Sequence, residues 1–77
     1  MNKQTVKPDG YGVKVFWDTG SVYQGYMMHG YCHGYGIYIY GDCEKEGDVY
    51  EGNFIFNKFH GIGKYRWKDG KTYKGEY

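Results

Sequence analysis

The sequence predicts an all-β fold, a single-layered antiparallel β-meander of stacked hairpins, and three observations support this class. The chain has 14 Gly and 11 Tyr among its 77 residues but neither Leu nor Ala. Leu and Ala favour helices, whereas Tyr favours strands and Gly favours tight turns. A segment of about 23 residues recurs along the chain. Within each copy, aromatic or glycine residues alternate with polar residues, as they do along a strand with one packed face.

Each copy of the repeat begins at a tyrosine. The segments Tyr23–Met27, Tyr50–Phe54 and Tyr73–Tyr77 share the pattern Tyr-x-Gly. Ten residues after the first two tyrosines comes a His-Gly-x-Gly element, at His33–Gly36 and again at His60–Gly63. Because each copy holds two short apolar-polar runs separated by turn residues, each copy predicts one hairpin. A hairpin cannot bury its own face, so the copies are expected to stack side by side.

The spacing between copies predicts where the turns differ. Tyr50 and Tyr73 are 23 residues apart, whereas Tyr23 and Tyr50 are 27 apart. The four extra residues fall in Gly41–Gly47, which predicts an enlarged polar turn. Asp9–Gly12 is a degenerate His-Gly-x-Gly element, and one extra residue before Tyr23 predicts a bulge or a longer turn. The predicted organisation is a tail at residues 1–8 and a repeat array at 9–77, divided into 9–22 (partial), 23–49, 50–72 and 73–77 (the start of another copy).

Alternation assigns the side chains to faces. Tyr50, Gly52 and Phe54 should share one face, and Glu51 and Asn53 the other. By the same reasoning Tyr65 and Trp67 share a face, and Lys64 and Arg66 point away from it. We expect aromatic rings to lie flat over the strand glycines, where a Cβ would collide, at Gly25, Gly52 and Gly75. The turn into the second strand of each hairpin is predicted to use Gly34, Gly36, Gly61 and Gly63.

The tyrosine element, the His-Gly-x-Gly element and the Gly-containing turn together resemble the MORN (membrane occupation and recognition nexus) repeat, over residues 9–77. The chain departs from that pattern at Asp9, which replaces His, at Met27, which replaces an aromatic residue, and in the four-residue insertion. The resemblance implies a non-enzymatic scaffold or protein–protein interaction module without a cofactor. It further implies a cytoskeletal or ciliary assembly, such as an axonemal radial spoke, and hence a cytoplasmic location.

The predicted partner-contact residues are Tyr26, Ile37 and Ile39. Where the next repeat has Lys64 and Arg66, this repeat has the two isoleucines, and Tyr26 stands where the other copies have Asn or Glu. Alternation places all three on the face opposite the aromatic stripe. Apolar residues in place of polar ones indicate a docking surface. The expected partners are other proteins of a larger assembly, another MORN array or a second copy of this chain.

An alternative function is binding to anionic phospholipids, because the last third of the chain is basic although the net charge is only +1. Each Lys or Arg near an anionic membrane contributes about 1 kcal/mol, and MORN-like proteins are linked to phosphoinositides. The candidate lipid-binding residues are Lys64, Arg66, Lys68, Lys71 and Lys74.

Other sites have weaker support in the sequence. The set His29, Cys32, His33 and Cys43 lacks the spacing of a metal site, and the repeat itself explains His33. We therefore predict no metal, and free thiols as in a reducing compartment. Catalysis needs a nucleophile, a base and a pocket, and a single Ser in a turn does not supply them, so we predict no enzyme. No nucleic-acid partner is expected, since the aromatics occupy positions set by the repeat. Because the sequence stops at Tyr77, inside a repeat, we expect a fragment of a longer array or a subunit completed by a partner.

Overall fold

The computed structural model describes residues 10–77, which form one six-stranded sheet. Each strand pairs antiparallel with the next along the chain, so the predicted all-β meander is confirmed. The sheet is a single layer with principal extents of 42 × 26 × 13 Å. The predicted tail at residues 1–8 lies outside the described residues. The strands are β1 (Gly10–Val15), β2 (Val22–Met28), β3 (Tyr31–Ile39), β4 (Val49–Ile55), β5 (Lys58–Arg66) and β6 (Thr72–Glu76).

Two rows of residues, one of glycines and one of tyrosines, cross the sheet on its inner face. We define the inner face as the one that carries the buried tyrosines. In the glycine row, each member lies opposite the next on the neighbouring strand: Gly12, Gly25, Gly36, Gly52, Gly63 and Gly75. The tyrosine row lies two residues away and contains Tyr23, Tyr38, Tyr50, Tyr65 and Tyr73. The tyrosine and the glycine of each repeat therefore occupy adjacent positions on one face.

Tyr50 shows why the repeat needs glycine. Its hydroxyl donates to the carbonyl of Asn53 at 2.9 Å, so its ring lies along the sheet. A Cβ on Gly63 would be 2.5 Å from the Tyr50 Cζ atom, and a Cβ on Gly52 would be 2.8 Å from its hydroxyl oxygen. Tyr23 makes the same bond, to the carbonyl of Tyr26 at 2.6 Å. The prediction that each tyrosine ring lies over the glycine of its own strand, as Tyr50 does over Gly52, is correct but incomplete. The Tyr50 ring also covers Gly63 on the next strand.

The assignment of Gly34, Gly36, Gly61 and Gly63 to turns was wrong, because all four lie inside strands β3 and β5. Gly36 and Gly63 lie beneath a tyrosine ring. The first glycine of each His-Gly-x-Gly element does adopt positive φ, 105° at Gly34 and 67° at Gly61, and the strand register shifts beside it. The element therefore forms a bulge within the strand rather than the turn before it.

Two-residue turns connect the strands of each hairpin. Both central residues have positive φ, at His29–Gly30 and at Phe56–Asn57, which is the type I′ geometry that suits the strand twist. Asn57 also links the second hairpin to the first. Its side-chain Oδ1 accepts from the Cys32 N–H at 2.8 Å, and its own N–H donates to the Cys32 carbonyl at 2.9 Å. One residue thus extends the pairing of β3 with the next hairpin.

The remaining turns follow the spacing of the sequence. The β5–β6 turn is closed by a bond from the Trp67 N–H to the Lys71 carbonyl, whereas the β1–β2 turn runs one residue further, from Phe16 to Ser21. The predicted longer turn is therefore confirmed. The β3–β4 connection contains the four-residue insertion and is closed by a bond from the Tyr40 N–H to the Asp48 carbonyl. The predicted enlarged turn is confirmed as well.

The core lies on the inner face and is centred on the tyrosine row. Its buried members are Tyr23, Met27, Cys32, Tyr50, Phe54 and Tyr65. Met27 replaces the repeat's aromatic residue and remains buried, because its flexible side chain fills irregular space. Trp67 contacts Tyr65 with ring centroids 4.8 Å apart, but it follows the end of β5 and is 42% exposed. Residues 10–77 contain no helix of the length and hydropathy needed to cross a membrane.

Candidate interaction surfaces

The outer face, opposite the tyrosine row, is divided by chemistry. Within β1, β2 and β3 the only Lys, Arg, Asp or Glu is Lys14, which lies on the inner face and donates to the Gly30 carbonyl at 2.8 Å. We call the outer-face side chains of these strands the apolar half. Its members are Tyr11, Val13, Val15, Val22, Gln24, Tyr26, Met28, Tyr31, Tyr35, Ile37 and Ile39.

A row of β-branched side chains forms one edge of the apolar half. Val15 lies opposite Val22, Val22 opposite Ile39, and Ile39 opposite Val49 of β4. Directly opposed side chains have Cβ atoms about 5 Å apart, so the row is continuous over four strands. Across the rest of the sheet the same row continues with Arg66 and Thr72.

The three predicted partner-contact residues lie on this face. Ile37 is opposite Gln24 and Ile39 is opposite Val22, so both share the face of the outward side chains of β2. Tyr26 lies two positions beyond Gln24 and packs edge-on against Tyr11, with ring centroids 5.2 Å apart. Their shared face follows from alternation as predicted, and their contact with a partner stays a prediction.

Sequence reasoning missed the contribution of β1 to this surface. Tyr11, Val13 and Val15 are all exposed and face outward beside β2. The alternation in Tyr11-Gly12-Val13-Lys14-Val15 was the available signal. The extra residue before Tyr23 obscured the register that joins these side chains to those of the next strand.

The outer face of β4–β6 carries charged side chains beside apolar ones such as Ile62, and we call it the charged half. It carries Glu51, Lys64, Arg66, Lys74 and Glu76. Lys64 lies opposite Glu51 on one side and opposite Lys74 on the other. The Tyr35 hydroxyl donates to the Glu51 carboxylate at the boundary between the two halves. The predicted lipid-binding set is therefore only partly assembled on one surface.

The other two members of that set, Lys68 and Lys71, lie in the turn between β5 and β6. The Lys68 N–H donates to Asp48 Oδ1 at 2.8 Å, and its aliphatic chain packs over Gly47. Asp48 is buried and also accepts from the Tyr65 hydroxyl at 2.7 Å. Burial, and then this hydrogen bond, raise the pKa of Tyr65. Asp48 thus holds the enlarged turn against β5 and the last turn.

The inner face carries a shallow groove of about 380 Å³ beside the core. Phe16, Tyr38, Tyr40 and Phe59 line it, with Lys58 at its edge. Phe59 stacks on Tyr50 with ring centroids 3.8 Å apart. The repeat pattern did not indicate this groove, because Phe16 and Tyr40 lie in turns whose paths the alternation does not determine.

Two titratable side chains of the inner face, Tyr23 and Cys32, are held in their neutral forms at neutral pH. Burial raises the pKa of Tyr23, and it raises the pKa of the Cys32 thiol to about 11. A thiol of that pKa is a poor nucleophile at neutral pH. Ser21 is buried, shares a hydrogen bond with the Thr19 hydroxyl and accepts from the Gly41 N–H, so it connects two turns. These arrangements favour packing rather than chemistry.

The four residues considered for a metal do not form a common site. Cys32 is buried, Cys43 is exposed in the enlarged turn, and His33 Nδ1 accepts from the Phe56 N–H at 3.3 Å. Over the part of the chain that the structure describes, no three His, Cys, Asp or Glu side chains are grouped as metal ligands would be.

Comparison with known families supports the assignment of the repeat. The sequence model described as the MORN repeat matches residues 23–42 and 50–72, which together make up more than half of the chain. The first match covers the β2–β3 hairpin, and the second covers the β4–β5 hairpin with the turn that follows it. No curated protein matches the sequence.

Proposed function

This chain belongs to the MORN repeat family, whose repeats are non-catalytic modules that interact with proteins or membranes, and we propose that it is a protein–protein interaction scaffold. The docking surface is the apolar half of the outer face, including Tyr26, Ile37 and Ile39. The observation that carries the proposal is the absence of Lys, Arg, Asp and Glu side chains from the outward positions of β1–β3.

The exposed apolar side chains need an explanation beyond folding. The core already lies on the opposite face, so burial in the core does not account for the apolar character of the outward side chains. The equivalent positions of the next hairpin, Lys64 and Arg66, show that this architecture accepts charged residues there. An apolar surface of this kind is typical of an interaction site.

We propose a cytoplasmic setting within a cytoskeletal or ciliary assembly of the axonemal, radial-spoke type. The support is the resemblance of the repeat to MORN arrays of such assemblies, which is an analogy at the level of the family. The partners would be other proteins of that assembly, another MORN array or a second copy.

The test is capture of partners by the full chain from its native source, followed by mass spectrometry. The double variant Ile37→Lys/Ile39→Lys should lose the specific partners, because burying unpaired charges in an interface is costly. Thr72→Lys, on the charged half of the same face, is the matched control and should retain them. Far-UV circular dichroism checks that both variants keep the sheet. Unchanged capture by the double variant would contradict docking through the apolar half.

Binding to anionic phospholipids is the second candidate, and one feature of the charged half favours it. Lys64 and Lys74 lie directly opposite each other, next to Arg66, so three cationic side chains are adjacent and would suit an anionic head group. Co-sedimentation with phosphatidylserine vesicles should then occur at low salt and weaken as salt screens the charges. The variant Lys64→Ala/Lys74→Ala should bind less than the wild type. No co-sedimentation of the wild type at low salt would exclude this function.

A further inference from the structure

We propose that the apolar half is a dimer interface through which two copies of this chain pack face to face. The inference rests on the proposed function, since it identifies the partner of the same surface. Two observations carry it: the absence of fixed charge on that surface and its area.

A two-fold dimer brings the same patch of each copy together, so the patch must be complementary to itself. A patch with one sign of charge fails this condition, because like charges would oppose each other. The apolar half satisfies it, since its members are aliphatic side chains, tyrosines, Met28 and the neutral Gln24. The charged half lies beside the patch, on β4–β6, and need not enter the interface.

The shape of the surface suits sheet-on-sheet packing. The molecule is one layer, with a 13 Å shortest extent, so its outer face has no covering element within residues 10–77. Two sheets pack with a separation of about 10 Å when compact side chains fill the space between them. The row Val15–Val22–Ile39–Val49 supplies such side chains over four neighbouring strands. The result would be a two-layered sandwich with the tyrosine rows on its outside.

The available area matches a weak dimer. Eight apolar side chains of the apolar half are 39–61% exposed: Tyr11, Val13, Val15, Tyr26, Met28, Tyr31, Tyr35 and Ile39. With roughly 150–200 Å² for a fully exposed side chain, these fractions amount to on the order of 600 Å² per copy. The total of about 1,200 Å² is at the lower limit for specific interfaces. We therefore expect a reversible dimer with a dissociation constant in the micromolar range.

Sedimentation equilibrium of the full chain tests this, at concentrations from about 5 to about 500 µM. The wild type should change from monomer to dimer over that range. Ile39→Lys should remain monomeric, and its fold should survive because the next repeat carries Arg66 at the equivalent position. Thr72→Lys, in the same cross-strand row on β6, should dimerise like the wild type. A wild type that stays monomeric at the highest concentration would overturn the proposal, as would a dimer that Ile39→Lys leaves intact.

A mixing experiment tests the two-fold arrangement independently. Ile39→Lys and Ile39→Glu should each be monomeric, whereas their equimolar mixture should form a heterodimer, because opposite charges then enter one interface. If the mixture stays monomeric while the wild type dimerises, Ile39 of one copy does not meet Ile39 of the other, and a two-fold axis that passes through this row is ruled out.

The dimer and the scaffold function can be refuted independently of each other. A monomeric wild type whose captured partners still depend on Ile37 and Ile39 would overturn the dimer and leave the scaffold function standing. Binding of a monomeric wild type to uncharged phosphatidylcholine vesicles, lost in Ile39→Lys, would overturn the dimer and assign the apolar half to a lipid surface.

Discussion

Replacing Gly63 with alanine tests the packing of tyrosine on glycine that organises the sheet. A Cβ at this position would lie 2.5 Å from two atoms of the Tyr50 ring, Cε1 and Cζ, which is far inside van der Waals contact. The ring is fully buried and its hydroxyl is bonded to the Asn53 carbonyl, so it has no room to shift in place. We expect Gly63→Ala to expel the ring from its position.

The expected decrease in the free energy of unfolding follows from the burial and the hydrogen bond that the Tyr50 ring loses. Exposing a buried aromatic side chain costs about 1.5–3 kcal/mol, and losing its hydrogen bond costs about 1 kcal/mol. Alanine restricts the unfolded chain more than glycine does, which offsets about 0.4–1 kcal/mol. The net destabilisation should be roughly 1.5–3.5 kcal/mol, which is a large fraction of a typical stability of about 5–15 kcal/mol.

Gly75→Ala is the matched control. Gly75 belongs to the same glycine row, and a Cβ there would lie 2.5 Å from the Tyr73 hydroxyl oxygen. Tyr73, however, is 47% exposed on the edge strand β6, so its ring has space to rotate away. We expect this variant to lose less than about 1 kcal/mol.

Urea denaturation followed by far-UV circular dichroism measures both variants. The expected result is a lower midpoint for Gly63→Ala at an unchanged m-value, and a small shift for Gly75→Ala. Equal midpoints for the two variants would refute the reasoning, because the difference rests entirely on the confinement of Tyr50.

Three further predictions concern the connections and the buried groups. Asn57→Gly keeps the positive φ of 71° but leaves the Cys32 N–H without its side-chain acceptor. It should therefore lower the free energy of unfolding by about 1–2 kcal/mol. Asn57→Ala should cost about 1 kcal/mol more through backbone strain, and equal losses in urea denaturation would argue against the strain. At neutral pH a thiol reagent should modify the exposed Cys43 at once and Cys32 only on unfolding, and rapid double labelling of the native chain would contradict the burial of Cys32. Stability should be flat at neutral pH and fall on alkalinisation, because a raised pKa means that the folded state keeps protons that the unfolded state releases. The fall in stability should begin near pH 9, where the Cys32 thiol ionises in the unfolded state but not in the folded state, in which its pKa is about 11. It should steepen above pH 10, where tyrosines ionise in the unfolded state while Tyr23 and Tyr65 stay protonated in the folded state. Each such group adds at most about 1.4 kcal/mol per pH unit, and urea midpoints that stay constant up to pH 12 would contradict this account.

The face assignments were predictable because alternation is a local property of a strand. Tyr50, Gly52 and Phe54 share the buried face, and Ile37 and Ile39 share the outer face, as their sequence spacing requires. The role of Gly63 was not predictable in this way. It depends on which residue of β5 lies opposite Gly52, and that register follows from the turn at Phe56–Asn57 and the bulge beside Gly61.

The surface formed by β1 and the inner groove were missed for a related reason. Val13 and Val15 reach the apolar half only through their pairing with β2, and an extra residue in the β1–β2 turn shifts that pairing relative to the other repeats. Phe16 and Tyr40 line the groove from turns, where no periodicity constrains direction. Sequence reasoning therefore performs best inside strands and worst where turns set the register.

The glycine and tyrosine rows place the residues that folding requires on the inner face, and they leave the outer face for contacts with partners. Because the buried core lies on one side of the sheet, the other side varies from valine to threonine along one row, and from isoleucine to arginine between repeats, as Ile39 and Arg66 illustrate. Successive hairpins repeat this variable side at a pitch of about 10 Å, twice the strand spacing. Substitutions on the outer face of one hairpin can therefore change what that hairpin binds without disturbing the next hairpin.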